Sequence, residues 1–149
     1  MFVPEGFDPP LGLVGKGFRL EPLGPEHNER DHAAWTSSMD HIRALPGYGP
    51  ESRWPHDMSL EENRADLERH ADDFAARRGF TYTVLDSYDG DVVGCVYVYP
   101  ANDGEHDALI QSWVRASRPE LDSPLRRAVV DWLAASWAFE RPLYAPLLG

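Results

Sequence analysis

The segment from residue 79 to residue 133 most constrains what this chain can fold into. It holds three runs with the residue types of β-strands, Phe80–Asp86, Val92–Tyr99 and Asp107–Arg115, and then an amphipathic helix. The turn signal Asp89-Gly90-Asp91 between the first two runs predicts an antiparallel hairpin. Three strands, a loop and a helix is an order typical of cofactor-binding proteins, so the chemistry of the loop decides whether a cofactor binds.

Two helices are predicted from their start signals. Ser59 and Glu62 form a capping-box pattern, which predicts a helix from there to about Arg78. Ser123 followed by Pro124 is the pattern of an N-cap and a first helical position, and it predicts a helix over residues 124–138. The apolar positions of this second helix form one stripe, made of Leu125, Ala128, Val129, Trp132, Leu133 and Ser136 or Trp137.

The 149 residues predict one domain over residues 18–149, preceded by a Pro/Gly-rich arm over residues 1–17. Phe18–Leu23 alternates as a strand does, and Pro22 places it at an edge of the sheet because proline cannot donate to a ladder. Pro25–Met39 predicts a helix and Arg141–Leu147 a short final strand.

Composition excludes several classes of function. The net charge of −11 argues against a nucleic-acid partner, since attraction to phosphate dominates that binding. No apolar run reaches the roughly 18 residues of a membrane span, and the N-terminus lacks the pattern of a signal peptide, so a cytoplasmic location is expected. The only cysteine, Cys95, lies in an apolar run and is expected to be a buried small hydrophobe. No Cys/His pair has the spacing of metal ligands.

The order of elements over residues 18 to 147, with the capped acidic helix and the hairpin Phe-Thr-Tyr-Thr-Val-Leu…Asp-Val-Val-Gly-Cys-Val-Tyr-Val, resembles the GCN5-related N-acetyltransferase (GNAT) superfamily. The resemblance implies an α+β fold, in which a mixed, mostly antiparallel sheet of about five strands is flanked by helices. It implies a transferase that moves an acetyl group from acetyl-CoA to a small amine. The alternatives are a catalytically inactive GNAT-like ligand-binding or interaction module, and an unrelated α+β protein that binds a hydrophobic ligand.

In that family a strand pairs with the pantetheine arm of the cofactor, and a Q/R-x-x-G-x-G/A motif after it binds the pyrophosphate. The resemblance places the motif at Arg118-Pro119-Glu120-Leu121-Asp122-Ser123, with Leu121 and Ser123 at the glycine positions. Glycine there lets backbone amides close on phosphate. The cofactor-binding residues that the resemblance implies are Trp113, Val114, Arg115, Arg118, Ser123 and Arg126.

The local charge supports an anion site at this loop. Residues 115 to 127 hold four arginines and two acids, a net charge of +2 within a chain of −11. A helix N-terminus already carries partial positive charge, so an anion near Arg118, Ser123 and Arg126 would account for arginines in its first turn. The alternative is that these arginines pair with surface acids.

Acetyl transfer needs a base for the ammonium and an acid for the thiolate. The resemblance implies a base at Asp107, with Glu105 beside it; alternatively, Asp107 closes a turn through its own backbone. The expected substrate-binding residues come from the loop between the first two helices and from one face of the second hairpin strand: Tyr48, Trp54, His56, Tyr97 and Tyr99. Packing of these aromatics onto the core is the alternative.

The chain ends soon after the last predicted strand, where family members usually continue. Leu143, Tyr144, Leu147 and Leu148 are too apolar to stay in water, which predicts a homodimer that covers them. The alternative is that the arm from Phe2 to Leu13 folds back and covers the same face.

Overall fold

The computed structural model describes residues 1–45, 47–49 and 52–145, with only the backbone of residue 145. This part contains one six-stranded sheet in chain order: β1 (Leu13–Val14), β2 (Phe18–Pro22), β3 (Phe80–Asp86), β4 (Val92–Tyr99), β5 (Ala108–Val114) and β6 (Pro142–Ala145). All neighbouring strands are antiparallel except β5 and β6, which are parallel. The predicted mixed, mostly antiparallel sheet is confirmed, with one strand more than expected.

The β3–β4 hairpin has the predicted bounds at both ends. The Asp86 carboxylate closes its turn by accepting the backbone N–H of Tyr88 at 2.7 Å. Strand β5 pairs with β4 along its whole length, from Leu109 opposite Tyr99 to Val114 opposite Gly94. The hairpin and the third strand therefore lie in one sheet, as predicted.

The predicted final strand is present as β6, which lies beside β5. Of the apolar residues expected to need cover there, Tyr144 is buried at 8% exposure and Leu143 is half-buried. Leu147 and Leu148, which belong to the same expectation, lie outside the described residues.

Helices cover both faces of the sheet: α1 (Asn28–Thr36), α2 (Met39–Arg43), α3 (Leu60–Ala75) and α4 (Asp122–Ser136). None of the helices in the described ranges is long and apolar enough to cross a membrane. The predicted capping box of α3 is present, because the Ser59 hydroxyl accepts the N–H of Glu62 while the Glu62 carboxylate accepts the N–H of Ser59. The helix ends at Ala75, three residues before the predicted end.

The prediction of one helix over residues 25–39 was wrong. A 3-10 turn over Pro25–His27 leads into α1, and α1 and α2 are separate helices. The break lies at Ser37 and Ser38, whose hydroxyls donate to backbone carbonyl groups of the preceding turn. Such side-chain bonds compete with the helical ladder and favour the end of a helix.

The predicted N-cap of α4 at Ser123 was also wrong. The helix begins at Asp122, after a 3-10 turn over Pro119–Leu121, and Ser123 is exposed inside the first helical turn. Leu121 is buried in the core together with Leu125 and Val129. Burial of the Leu121 side chain favours a start of the helix two residues earlier than the local capping signal predicts.

The strand β2 is not at the edge of the sheet, contrary to the prediction from Pro22. The two residues of β1 pair with Arg19 and Leu20, while Pro22 extends past them and faces only β3. Proline lacks an N–H, so it is tolerated at this position because no strand is present on its other side.

The N-terminal arm packs against the core on the α4 side. Val3 is 1% exposed, Phe2 stacks on Phe80 with ring centroids 5.9 Å apart, and Phe7 lies 5.6 Å from Trp137. Leu11, by contrast, is exposed. The second core, on the opposite face, lies between the sheet and α1 to α3, and it contains the buried Cys95.

Candidate acceptor cavity

A cavity of about 290 Å³ lies between α1, α3 and the strands β4 and β5. Four of the five side chains predicted to bind substrate line it: Tyr48, Trp54, His56 and Tyr97. The fifth, Tyr99, does not line the cavity, and its hydroxyl lies within hydrogen-bond distance of His70 and Asp73. The other lining residues that matter for its chemistry are Asp31, Trp35, Asp66, Arg69, His70 and Gln111.

The cavity reaches the point where β5 and β6 stop pairing in the described part of the chain. The last register pair of these two strands joins Gln111 and Ala145. On its other side Gln111 pairs with Tyr97 of β4, and both residues line the cavity. A ligand in the cavity would therefore lie beside the last described pair of β5 and β6.

Aromatic rings form one wall of the cavity. Trp54 lies 5.3 Å from Trp35, 5.8 Å from Tyr48 and 6.0 Å from Trp113, measured between ring centroids. The Trp113 indole, predicted to bind the cofactor, donates a 2.9 Å hydrogen bond to the Tyr97 hydroxyl. It is fully buried and packs against the lining residue Trp54 without lining the cavity itself. Such rings offer an apolar and weakly electronegative surface that suits an organic cation.

The hydroxyl of Tyr48 is buried and has no hydrogen-bond partner within the described residues. Tyr48 is only 6% exposed, and burial raises the pKa of its phenol. A buried hydroxyl without a partner costs free energy. Because Tyr48 lines the cavity, a ligand could offer its hydroxyl the missing partner.

Asp31 brings a buried negative charge to the cavity. It is 4% exposed and accepts a 3.0 Å hydrogen bond from the amide of Asn63. That amide also donates to Asn28, and its oxygen accepts the indole N–H of Trp35. Burial raises the pKa of Asp31 to about 6, partly offset by the bond from Asn63. The carboxylate is thus ionised at neutral pH, and a cation in the cavity would stabilise it.

His70 also lines the cavity, and it connects the cavity with a chain of polar groups. Its Nδ1 is 3.0 Å from the Tyr99 hydroxyl and 3.0 Å from the Thr81 hydroxyl, while its Nε2 is 3.8 Å from the Asp66 carboxylate. The Tyr99 hydroxyl donates to Asp73 at 2.9 Å. Burial lowers the pKa of His70, so the ring is neutral at physiological pH.

Sequence reasoning did not single out Asp31, Asp66 or His70. A signal for two of them exists in the printed sequence, since Asp66, His70 and Asp73 recur at helical spacing and share one face of α3. No comparable signal marks Asp31, whose importance comes from its burial.

The residues predicted as the base lie elsewhere. Both oxygens of Asp107 accept backbone N–H groups, from Glu140 at 2.7 Å and from Arg141 at 3.0 Å, and so fix the entry to β6. Glu105 is exposed in the preceding loop. Neither residue lines the cavity. These contacts give the Asp107 carboxylate a structural role, but with the distant backbone before β6 and not with a turn of its own as the alternative had it.

The arginines predicted to bind the cofactor pair with acids. Arg115 donates to Asp91 at 2.9 Å, and Arg118 donates to Asp86 at 2.7 Å and to Glu120 at 3.0 Å. The hydrogen bond from Arg118 lowers the pKa of Asp86. Arg126, also predicted to bind the cofactor, pairs with Asp122 and lies over the Tyr144 ring. Of the remaining two residues of this set, Val114 is buried and Ser123 is exposed.

The backbone amides of the same loop are largely used within the chain. The N–H of Arg115 donates to Val93, that of Ala116 to the Ser38 hydroxyl, that of Arg118 to Arg115 and that of Leu121 to Arg118. A loop that binds pyrophosphate directs such amides at the ligand. The loop therefore fits the amide cradle of a CoA pyrophosphate poorly, and arginine side chains would have to meet the phosphate charge.

Several solved structures share this fold. The ribosomal-protein-S5-alanine acetyltransferase of Vibrio fischeri matches with a TM-score of 0.64 and 13% identity, over 83% of this chain and 67% of that one. RimL, a ribosomal L7/L12 α-N-protein acetyltransferase in complex with coenzyme A, matches with 0.63 and 16%, over 81% and 66%. RimJ of Mycobacterium smegmatis in complex with CoA-disulfide matches with 0.64 and 14%, over 84% and 61%.

The sheet, the helices on its two faces and these likenesses define an acyl-CoA N-acyltransferase fold. More particularly, the chain has the fold of the GNAT acetyltransferases, which confirms the resemblance found in the sequence. It spans about two thirds of the length of the structures named. No family model and no curated protein matches the sequence.

Proposed function

We propose that this chain is a GNAT-type N-acyltransferase that transfers an acetyl group from acetyl-CoA to an amine bound in the cavity. One observation carries the proposal: Gln111 belongs both to the cavity wall and to the last pair between β5 and β6 within the described residues. In the family that the sequence resembles, the pantetheine arm of the cofactor pairs with the backbone of the corresponding strand. The acceptor and the donor would then meet at Gln111.

The chemistry of the cavity supports an amine as the acceptor. Asp31 and Asp66 would attract an ammonium group, and the rings of Trp35 and Trp54 would contact the carbon atoms next to it. The volume of about 290 Å³ is at the lower end of the range for ligand pockets, roughly 300–1,000 Å³. A small amine or the first residue of a protein chain fits this size. The second possibility is supported by the likeness to RimL, which is a ribosomal L7/L12 α-N-protein acetyltransferase.

The donor would be held differently from the glycine-rich mode of the family. Acetyl-CoA supplies the activated acyl group when bound. Because the loop amides are engaged, we assign its phosphates to the side chains of Arg118 and Arg126, near Ser123. Arg118 would have to exchange Asp86 for phosphate, and its guanidinium, whose side chain is 36% exposed, can be reached from solvent. The buried Cys95 and the expected cytoplasmic location agree with a reducing compartment that holds acetyl-CoA.

A second candidate function is a ligand-binding or interaction module without catalysis. The engaged amides of Arg115, Ala116, Arg118 and Leu121 favour it, since a chain that no longer binds CoA has no need of free amides there. In that case the cavity would bind an amine without acetylating it.

Two measurements distinguish the candidates. Isothermal titration with acetyl-CoA tests the donor, and a thiol-release assay tests transfer to a panel of small amines and of short peptides with free N-termini. We expect acetyl-CoA binding and thiol release that depends on the amine. Amine binding to a chain that does not bind acetyl-CoA would overturn the transferase and support the module. Preference for peptides over small amines would assign the acceptor to proteins.

A further inference from the structure

We infer that His70 is the catalytic base for the bound amine, and that Tyr99 and Asp73 are positioning residues that conduct its proton to solvent. This inference rests on the proposed function, because it assigns a role to a residue of the same cavity. It differs from the expectation at Asp107, whose carboxylate is used by the backbone at the start of β6.

The direction of the hydrogen bonds carries the argument. The one hydroxyl hydrogen of Tyr99 is donated to Asp73, so its oxygen can only accept from Nδ1 of His70, 3.0 Å away. The Thr81 hydroxyl oxygen, also 3.0 Å from Nδ1, can share that hydrogen. The donation from Tyr99 to Asp73 thus favours Nδ1 as the nitrogen that carries the ring hydrogen of neutral His70. This leaves Nε2 with a free lone pair on the side of Asp66, which lines the cavity.

The proton balance is simple. Nε2 takes a proton from the ammonium group, which becomes a neutral amine with a lone pair for attack, and His70 becomes an imidazolium. The hydrogen on Nδ1 then passes to the Tyr99 oxygen as the hydrogen of Tyr99 passes to Asp73. Asp73 has a side chain 14% exposed and can release the proton to water. The ring is then left with its hydrogen on Nε2. It regains its starting state when Nε2 gives that hydrogen to the leaving CoA thiolate while Nδ1 takes one back from water through Asp73 and Tyr99. The second hydrogen that the amine nitrogen loses on forming the amide leaves to water.

The surroundings of His70 favour a neutral ring before the reaction and a stabilised cation after it. From α3 it faces Asp66, Arg69 and Asp73, from β3 Thr81, and from β4 Tyr97 and Tyr99. Burial and Arg69 lower its pKa, while the two carboxylates work in the opposite direction. A histidine that is neutral before the reaction can take up the proton of the bound ammonium group.

Asp31 is a weaker candidate for the same role, although it is also buried at the cavity. Its hydrogen-bond partner is the amide of Asn63, which in turn bonds to Asn28 and Trp35. Amide and indole groups donate hydrogen bonds but do not take up and release protons near neutral pH. Asp31 can therefore hold the positive charge of the substrate. Of the two residues, only His70 is connected through Tyr99 and Asp73 to a path that carries a proton to solvent.

A spectroscopic test is independent of activity. Nitrogen-15 NMR of the histidine rings, with His70 assigned by comparison with His70→Gln, reports which ring nitrogen is protonated. We expect Nδ1–H and a bare Nε2 in the free protein at pH 7.5, and loss of this preference in Tyr99→Phe. An Nε2–H ring in the wild type would overturn the inference, whether or not the protein is a transferase.

Kinetics then tests the catalytic role. His70→Gln should lower kcat by about 100-fold or more with little change in KM for the amine, and added imidazole should restore part of the rate to His70→Ala. Tyr99→Phe should cause a smaller loss of kcat and shift the acid limb of the pH profile. His106→Gln, at a half-buried histidine paired with Asp103 outside the cavity, is the control.

The outcomes separate the two proposals. An active wild type whose His70→Gln variant, with unchanged thermal stability, keeps its kcat would overturn the role of His70 and leave the proposed function standing. A folded wild type that acetylates no amine or peptide would overturn the proposed function, and the catalytic role of His70 with it.

Discussion

Arg118 donates a 2.7 Å hydrogen bond to Asp86, and this ion pair joins the loop before α4 to the turn end of β3. The same guanidinium donates to Glu120 at 3.0 Å. A cation that the sequence resemblance assigns to phosphate is thus held by two carboxylates of the chain itself. Binding of a phosphate at this position is a competition with Asp86.

That competition predicts opposite effects of two substitutions on the affinity for CoA. Arg118→Ala, alone or with Arg126→Ala, should weaken binding by about 1–3 kcal/mol, since a charge-assisted hydrogen bond is lost. Asp86→Asn should strengthen it by about 1 kcal/mol or less, because Arg118 is released from its charged partner. Titration calorimetry at two salt concentrations measures both, with Arg64→Ala on α3 as the control. Equal affinity in all the variants would exclude an anion site at this loop.

The buried charge of Asp31 predicts a pH-dependent cost in stability. Its folded-state pKa of about 6 lies above the ordinary value of 3.8, so the native state holds this proton more tightly than the unfolded state does. Stability is therefore lost as the pH rises from about 4 to about 6, and the full cost is present above 6. Asp31→Asn should raise the free energy of unfolding at pH 7.5 by about 1–3 kcal/mol, and by little at pH 4.

The same substitution should weaken binding of a cationic amine, because the introduced amide lacks the charge that attracts it. Denaturant unfolding at the two pH values and titration with the amine provide the measurements, and Asp131→Asn on the exposed face of α4 is the matched control. A variant that is less stable than the wild type at pH 7.5 would contradict the assignment of Asp31 as a buried, uncompensated charge.

Two tyrosines of the cavity should respond in opposite ways to loss of the hydroxyl. Tyr97→Phe leaves the buried indole N–H of Trp113 without its acceptor and should cost about 1–3 kcal/mol of stability. Tyr48→Phe removes a buried hydroxyl that has no partner in the described residues, so stability should stay unchanged or rise by up to about 1 kcal/mol. Thermal unfolding compares them directly.

The proposed ligand contact of Tyr48 adds a second readout. If its hydroxyl binds the acceptor, Tyr48→Phe should raise KM for the amine while the free protein keeps its stability. Unchanged KM would show that the hydroxyl does not contact the acceptor, and the cavity would then bind amines through its carboxylates and rings alone.

The N-terminal arm should be required for stability. Val3 is buried, and Phe2 and Phe7 contact Phe80 and Trp137. Val3→Ala should cost about 1–3 kcal/mol, and deletion of residues 1 to 13 should lower solubility because apolar core is exposed. Chemical denaturation and solubility measurements test both changes.

The homodimer expected from the sequence stays a prediction. The alternative is that the N-terminal arm covers the apolar face that a second copy of the chain would otherwise cover. If the arm is the cover, the full chain should sediment as a monomer at micromolar concentration. A full-length dimer that persists on dilution would favour association through β6, and a deletion variant as soluble as the wild type would show that the arm is dispensable.

The sequence by itself determined the elements whose signals are local. The aromatic and β-branched residues of β3 and β4, the turn signal between them and the capping box of α3 predicted these elements at or near their final bounds, because such signals depend on neighbours a few positions apart. The order of the elements was then sufficient to indicate the fold, since consecutive strands usually pair.

Other features depended on contacts between distant parts of the chain. Burial of Leu121 brought the start of α4 forward, the two residues of β1 covered part of β2, and Asp107 was taken up by the backbone before β6. In each case a tertiary contact outweighed a local signal of modest free energy.

Four aromatic or histidine side chains of the cavity were expected from the sequence, but its buried carboxylates and His70 were decided by the tertiary structure. Asp86 and Arg118 are 32 positions apart, and Tyr99 meets His70 from 29 positions away. The sequence shows which residues can ionise, but their protonation depends on burial and on partners brought close by folding. The sequence therefore indicated an acyltransferase fold. Only the packing of α3 against β3 and β4 placed His70 in the cavity wall beside the hydroxyl groups of Tyr99 and Thr81.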